Sequence, residues 1–212
     1  MDNPVMIFGA NTIGRAAKDI FESNGVTVYG FLDDDTHLHQ KEIDDVLVLG
    51  TTDDDGLLKL IPKKCEAFVA CDENKLRKTL VSLLQERRHV QPVNGIHKLA
   101  NLSPRSSIGH GNFIDAGVTA APGVQIGSHC LIHGNVWLGV GTIVSNFAQI
   151  GAGSIVNAGV TIEEEAFIGS GVTVVAGVTI GKGARIGAGS VVIGPVKAGE
   201  TVFGNPAQKV QG

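Results

Sequence analysis

The sequence predicts two domains of different class, an α/β domain over residues 1–99 and a parallel β-helix over residues 100–212. Three observations predict this. Composition shifts near residue 100: residues 1–99 hold 28 of the 38 charged residues and 7 of the 29 glycines, and the rest of the chain holds 10 and 22. The first part alternates short apolar runs with stretches of helical spacing. The second places an aliphatic residue at every sixth position through 15 successive units.

In the first part, "PVMIFGA" is a short apolar run closed by glycine, as in a buried strand. "IGRAAKDIFESNG" has helical spacing, with Ile13, Ala17, Ile20 and Phe21 on one face and Gly25 as the stop. "VTVYGFLDDD" and "DVLVLGT" read as strands, "DDDGLLKLIP" as a short helix, "CEAFVAC" as a strand and "DENKLRKTLVSLLQERR" as a longer helix. Strand and helix in turn imply a parallel sheet with helices on its faces.

In the second part the aliphatic positions run from Ile108 to Val192, and a second apolar or small residue stands four positions after each, as at Val118, Val124, Cys130 and Val136. Asn112 is the exception. A helix cannot produce a strict period of six, and a low-complexity glycine tract would not keep phase, whereas a parallel β-helix does both. Three units make one 18-residue coil, so about five coils stack at roughly 4.8 Å per step. Residues i−2 and i point inward because side chains alternate along a strand. The recurrent glycines, such as Gly111, Gly117, Gly123 and Gly141, mark corners where φ is positive.

The net charge of −4 argues against a nucleic-acid or polyanion binder, which needs clustered Lys and Arg. Cys65, Cys71 and Cys130 lie in apolar stretches without a CxxC pair, as buried thiols of a reducing compartment do. No apolar run reaches about 18 residues and no signal-peptide pattern is present, so the chain is expected to be soluble and cytoplasmic, with no membrane partner.

The in-phase repeat, the ending "GAGSVVIGPVKAGETVFGNPAQKV", the junction "PVNGIHKLANLSP" and the pair "IFGANTIG" and "GFLDDD" resemble the sialic-acid and bacillosamine-pathway acetyltransferases of the NeuD and PglD type. The resemblance implies an α/β Rossmann-like N-terminal domain that binds a nucleotide sugar, followed by a left-handed parallel β-helix. It also implies a homotrimer, acetyl-CoA bound between neighbouring helices, and transfer of acetyl to an amino or hydroxyl group of a nucleotide-linked sugar. Carried over by residue, the nucleotide-sugar loop falls on Asn11, Thr12 and Ile13, where a strand-to-helix turn offers N–H groups to a phosphate. Asn11 stands where a GxGxxG fingerprint has its middle glycine. Asp33 and Asp34 end the second strand, where a carboxylate can accept from ribose hydroxyls or an amino sugar, and Asp72 stands where relatives have a ligand-touching glycine. Acetyl-CoA contacts carry over to Gln149, Ser170 and Ala188; relatives have histidine at the first. The family's catalytic base, a histidine followed by an acid, falls on Val140 and Gly141, neither of which can move a proton.

A replacement base can be sought by spacing. His133 faces outward beside Gln149, and Asp115 is 18 residues earlier, at the same place one coil back. Stacked strands bring the two within about 5 Å at Cα, and Gln149 within roughly 8 Å of His133. A carboxylate beside an imidazole orients it and raises its basicity, so His133 and Asp115 are the candidate catalytic pair. A surface His–Asp pair without a role is the plain alternative. Two further readings stay open: a non-catalytic trimer that binds sugar nucleotide or CoA, and a zinc site of the γ-carbonic-anhydrase kind drawing on His110, His129 and His133. The favoured reading expects no metal. His37, His39, His89 and His97 read as surface or linker residues. Trp137 precedes an inward residue and so faces outward, toward a subunit interface or a groove.

Overall fold

A computed structural model of the chain describes residues 3–210. It divides into two compact units that meet between Lys98 and Leu99.

The first unit is a five-stranded sheet with flanking helices. Strands β1 (Val5–Phe8), β2 (Val28–Leu32), β3 (Glu42–Ile43), β4 (Val46–Gly50) and β5 (Glu66–Val69) lie in the order β3-β4-β2-β1-β5. All neighbours are parallel except the β3–β4 hairpin. The β3 strand is an addition to the sequence reading: "KEID" has no apolar alternation, and pairing with β4 makes it extended. β1 is an interior strand, paired on both sides by β2 and β5, with all four residues buried, which is why its sequence is an unbroken apolar run. Helices α1 (Thr12–Ser23), α2 (Asp55–Leu58) and α3 (Asn74–Arg88) complete the unit. Ile13, Ala17, Ile20 and Phe21 form the buried face of α1. His89 ends α3 in the left-handed conformation, φ 56°, and donates its N–H to Gln85. His97 is buried and is not a surface linker residue.

The second unit is a left-handed parallel β-helix with three walls of two-residue strands. One wall stacks Asn101–Leu102, Thr119–Ala120, Trp137–Leu138, Ile155–Val156, Thr173–Val174 and Val191–Val192. The second wall runs from Ser107–Ile108 to Thr179–Ile180. The third stacks Phe113–Ile114, Leu131–Ile132, Gln149–Ile150, Phe167–Ile168 and Arg185–Ile186, then Thr201–Phe203 with the antiparallel Gln208–Lys209. Every pairing between successive coils is offset by 18 residues up to Val192, as in Leu131 with Gln149 and Ile132 with Ile150. From Ile114 onward the aliphatic residue of each wall strand through Val192 is inward and buried, as are Val118, Val124, Val136, Ala148 and Val160 two positions before the next one. Burying each Val, Leu or Ile contributes about 1.5–3 kcal/mol.

Corners recur every six residues with positive φ. Most are glycine, and His129, Asn135, Phe147 and Glu165 take the same conformation at 59–62°. A bulky residue there is strained. His129 and Phe147 are successive residues of one corner column, and their rings stack at 4.9 Å, an interaction that offsets part of that cost. Asn112, out of character in sequence, is fully buried. Its Oδ1 accepts from Cys130 N–H at 2.8 Å and its Nδ2 donates to the Gly127 carbonyl at 2.8 Å, so it acts as an extra rung between coils. Among the described residues no helix is long and apolar enough to cross a membrane.

The Asn112→Ala variant leaves one core N–H and one carbonyl without that rung, and is expected to lose about 2–3 kcal/mol of stability. Urea denaturation of purified protein checks this; a loss below about 0.5 kcal/mol contradicts it.

Candidate functional site

The outer face of the third wall is where chemistry-bearing side chains meet. Gln149 is the outward residue of its strand and half-buried. Its side-chain Nε2 stands 3.4 Å from His133 Nε2, a long contact in which the amide donates and the imidazole lone pair accepts. The strand geometry that separates these two by two residues and one coil therefore lets the side chains touch. His133 also lies against Phe113, with ring centroids 5.7 Å apart. Asp115 follows Ile114 as His133 follows Ile132, and those two isoleucines are paired in register. Asp115 N–H donates to the Ile132 carbonyl at 3.0 Å, and its Oδ1 accepts from Ala116 N–H at 2.7 Å. Asp115 and His133 are thus successive residues of one column, and the side-chain contact seen at Nε2 of the imidazole comes from Gln149.

Ser170 and Ala188 are exposed at the corner that follows this wall, one coil apart. The glycines beside them matter sterically. A Cβ on Gly151 would come within 2.4 Å of the Ser170 nitrogen, and one on Gly169 within 2.6 Å of the Ala188 nitrogen. Only glycine lets these coils close up, and the result is a track of small residues running along the corner from Gln149. Val140 and Gly141 lie at a different corner, between the first and second walls; Val140 is 57% exposed and Gly141 has φ 68°. Cys130 is fully buried inside the coil and offers no nucleophile to the outer face.

The first unit holds a small pocket at the strand ends, lined by Gly9, Asn11, Asp33, Asp34, Thr52 and Cys71, with Leu76 and Leu80 of α3. The polar groups here are already engaged. Asn11 caps α1: its Oδ1 accepts from Ile13 N–H at 2.9 Å and Gly14 N–H at 3.1 Å, and its Nδ2 donates to the Ala70 carbonyl at 3.0 Å. Thr12 is exposed, while the Ile13 side chain is buried in the helix face, so Ile13 has no side chain for a ligand and its N–H already serves the cap. Asp33 Oδ2 accepts from Ala10 N–H at 2.8 Å and its Oδ1 from Asp35 N–H at 2.9 Å. Asp34 Oδ1 accepts from both the N–H and the hydroxyl of Thr52 at 2.9 Å. The acidic strand end thus ties three turns together.

Sequence reasoning missed three residues. Thr52 is buried against Asp34; a threonine after a strand carried no signal. His39 Nε2 bonds to the Asp33 carbonyl at 2.8 Å and so is anchored to this turn, contrary to its reading as a surface residue. Arg77, fully buried in α3, donates to the Cys71 and Asp72 carbonyls and to Asn74 Oδ1. It holds the turn that carries Asp72. Among the described residues no group of three or more His, Cys, Asp or Glu side chains is placed to hold a metal.

The family model for the PglD N-terminal domain matches residues 4–84. The model for the bacterial transferase hexapeptide, six repeats, matches residues 105–139 and 159–194. Among solved structures, the chain is similar to a His-to-Asn variant of perosamine N-acetyltransferase from Caulobacter crescentus in complex with CoA and GDP-perosamine. That likeness has 28% identity, a TM-score of 0.90, and covers 99% of this chain and 97% of that one. The acetyltransferase domain of PglB from Neisseria gonorrhoeae, in complex with acetyl coenzyme A, matches at 24% identity and TM-score 0.90 over 99% and 100% of the two chains. WeeI from Acinetobacter baumannii matches at 24% and 0.82 over 98% and 99%. At 24% these last two speak for the fold. No curated protein sequence matches the chain.

All three cysteines are buried and free. Burial pushes the Cys65 and Cys71 thiols up to about 11, so at pH 8 about one in a thousand of each is thiolate. Ellman's reagent at pH 8 is expected to titrate the folded protein at least tenfold more slowly than the protein in 6 M guanidinium; equal rates contradict this.

Proposed function

Since the chain joins a PglD N-terminal domain to a hexapeptide-repeat transferase domain and belongs to the NeuD/PglD-type sugar acetyltransferases, we propose that it transfers acetyl from acetyl-CoA to an amino group, or failing that a hydroxyl, of a nucleotide-linked sugar. The observation that carries this is the likeness over nearly the whole of both chains to an N-acetyltransferase solved with CoA and a GDP-amino sugar. The first unit takes the nucleotide sugar at the turn formed by Asn11, Thr12 and Ile13 with Asp33 and Asp34. Acetyl-CoA lies along Gln149, Ser170 and Ala188. Three buried free thiols fit a cytoplasmic protein.

In the reaction, the acceptor nitrogen attacks the thioester carbonyl carbon, a C–N bond forms, the C–S bond breaks, and CoA leaves as thiolate. The proton lost from nitrogen goes to His133 Nε2, which takes it once the acceptor displaces the Gln149 amide from that lone pair, while Asp115, one coil back, orients the ring. Gln149 has two amide N–H groups. Before the acceptor arrives one engages His133 Nε2; in the reaction the amide donates instead to the thioester oxygen as negative charge develops on it. His133 therefore has a second task, orienting Gln149.

A second reading has a specific observation in its favour. Val140 and Gly141 stand where the resemblance puts the catalytic histidine and its acid, so the chain can also be a binding protein without turnover. The test incubates the protein with acetyl-CoA and UDP-, GDP- or dTDP-linked amino sugars and measures free CoA thiol. Release with any of them supports the transferase; binding of CoA and sugar nucleotide without release supports the second reading. In an active protein, His133→Ala is expected to lower kcat about 100-fold or more, and unchanged turnover would remove His133 from the mechanism.

Assembly is part of the proposal. Trp137 and Ile155 are paired neighbours on the first wall, each 45% exposed, and Val140 and Ile143 continue the exposed apolar band around the corner. A band of this kind fits a homotrimer interface. Sedimentation equilibrium is expected to give three times the chain mass of 22.0 kDa; a monomer at micromolar concentration contradicts this.

A further inference from the structure

The third wall continues beyond Gln149 with two outward residues in register, Phe167 and then Arg185. The Arg185 Cζ lies 4.6 Å from the centroid of the Phe167 ring. That spacing is close to the step between coils, so the guanidinium projects from the wall at its own coil's level, stacked on the ring of the coil before. The five cations of the β-helix unit are Arg105, Lys182, Arg185, Lys197 and Lys209. Lys182 pairs with Glu164, and Lys209 with Glu200. Arg185 is exposed, and among the described residues no carboxylate lies within ion-pair distance of it. Stacking occupies one face of a guanidinium and leaves its edge N–H groups directed outward, the arrangement that grips a phosphate through two hydrogen bonds.

Position brings the phosphates of acetyl-CoA within reach. Gln149 and Arg185 are two coils apart, roughly 10 Å along the wall. The arm of acetyl-CoA has about thirteen chain bonds from sulfur to the first phosphorus, roughly 15 Å when extended at the rise per bond of a polypeptide. A guanidinium about 10 Å from the thioester level, plus a hydrogen bond of about 3 Å, falls inside that reach. The track of small residues at Ser170 and Ala188 runs in the same direction along the neighbouring corner.

We propose that Arg185, held over Phe167, is the phosphate-binding residue for the nucleotide end of acetyl-CoA. The inference rests on the acetyl-CoA reading above. Two sources of phosphate exist on that end, the diphosphate and the ribose 3′-phosphate, and the chemistry of capture is the same for both.

The test is calorimetric titration of full-length wild type, Arg185→Gln and Arg185→Lys with CoA, dephospho-CoA and pantetheine. Arg185→Gln is expected to bind CoA about tenfold more weakly, and Arg185→Lys to recover part of that, since a lysine keeps the charge and loses the fork. Pantetheine, which has no phosphate, should bind all three proteins alike. A deficit that persists with dephospho-CoA assigns the contact to the diphosphate, and one that disappears assigns it to the 3′-phosphate. Arg185→Gln binding CoA as tightly as wild type, or losing the same factor toward pantetheine, overturns the inference while leaving the acetyl-CoA reading intact. Wild type that binds no CoA overturns both.

Discussion

Everything on the outer surface of the second unit depends on one constraint: each two-residue strand must hydrogen-bond to the strand 18 residues later. Leu131 N–H donates to the Ala148 carbonyl at 3.0 Å and Gln149 N–H to the Ala166 carbonyl at 2.9 Å, and the same pattern repeats along the walls. A parallel ladder tolerates no change of step, because a single inserted residue would turn the inward aliphatic positions outward. The corner must turn the chain onto the next wall in four residues, and positive φ is how it does so. Glycine is the cheap solution there. His129, Phe147 and Glu165, consecutive in one corner column, are costly ones, and two of them recover some of the cost by stacking on each other.

The same constraint turns sequence distance into proximity. Asp115 and His133, His133 and Gln149, and Gln149 through Phe167 to Arg185 are neighbours only because coils stack. Such a surface is rigid at its backbone and changeable at its side chains, since an outward residue can be exchanged without disturbing the core. Val140 illustrates this: a site where a resembling enzyme carries its base can hold an exposed aliphatic residue and leave the ladder untouched. Chemistry on such a scaffold can therefore be exchanged one coil or one wall at a time, which is the basis for proposing His133 beside Gln149.

The first unit obeys a different economy. Its turns are irregular, so their backbone N–H groups must find partners locally. Asp33, Asp34 and Asn11 supply them, holding Ala10, Asp35, Thr52, Ile13 and Gly14. These are the residues that also face the pocket. A ligand entering there meets side chains that already have structural bonds, so it must share their remaining lone pairs and N–H groups or displace those bonds.

Sequence alone determined the classes of both units, the 18-residue step, the inward phase, and the column that joins Asp115 to His133, because periodicity and alternation are local properties that backbone geometry converts directly into direction. It also marked Asn112 as anomalous without saying why. Tertiary structure decided the rest: that Gln149 touches the imidazole, that Asn112 is a rung, that Arg185 rests on Phe167, that His39, His97 and Arg77 are anchored or buried, and that the acids of the first unit are engaged with its turns. Those facts depend on side-chain rotamers and on which chain segments cross a given point, and neither leaves a periodic trace in the order of residues.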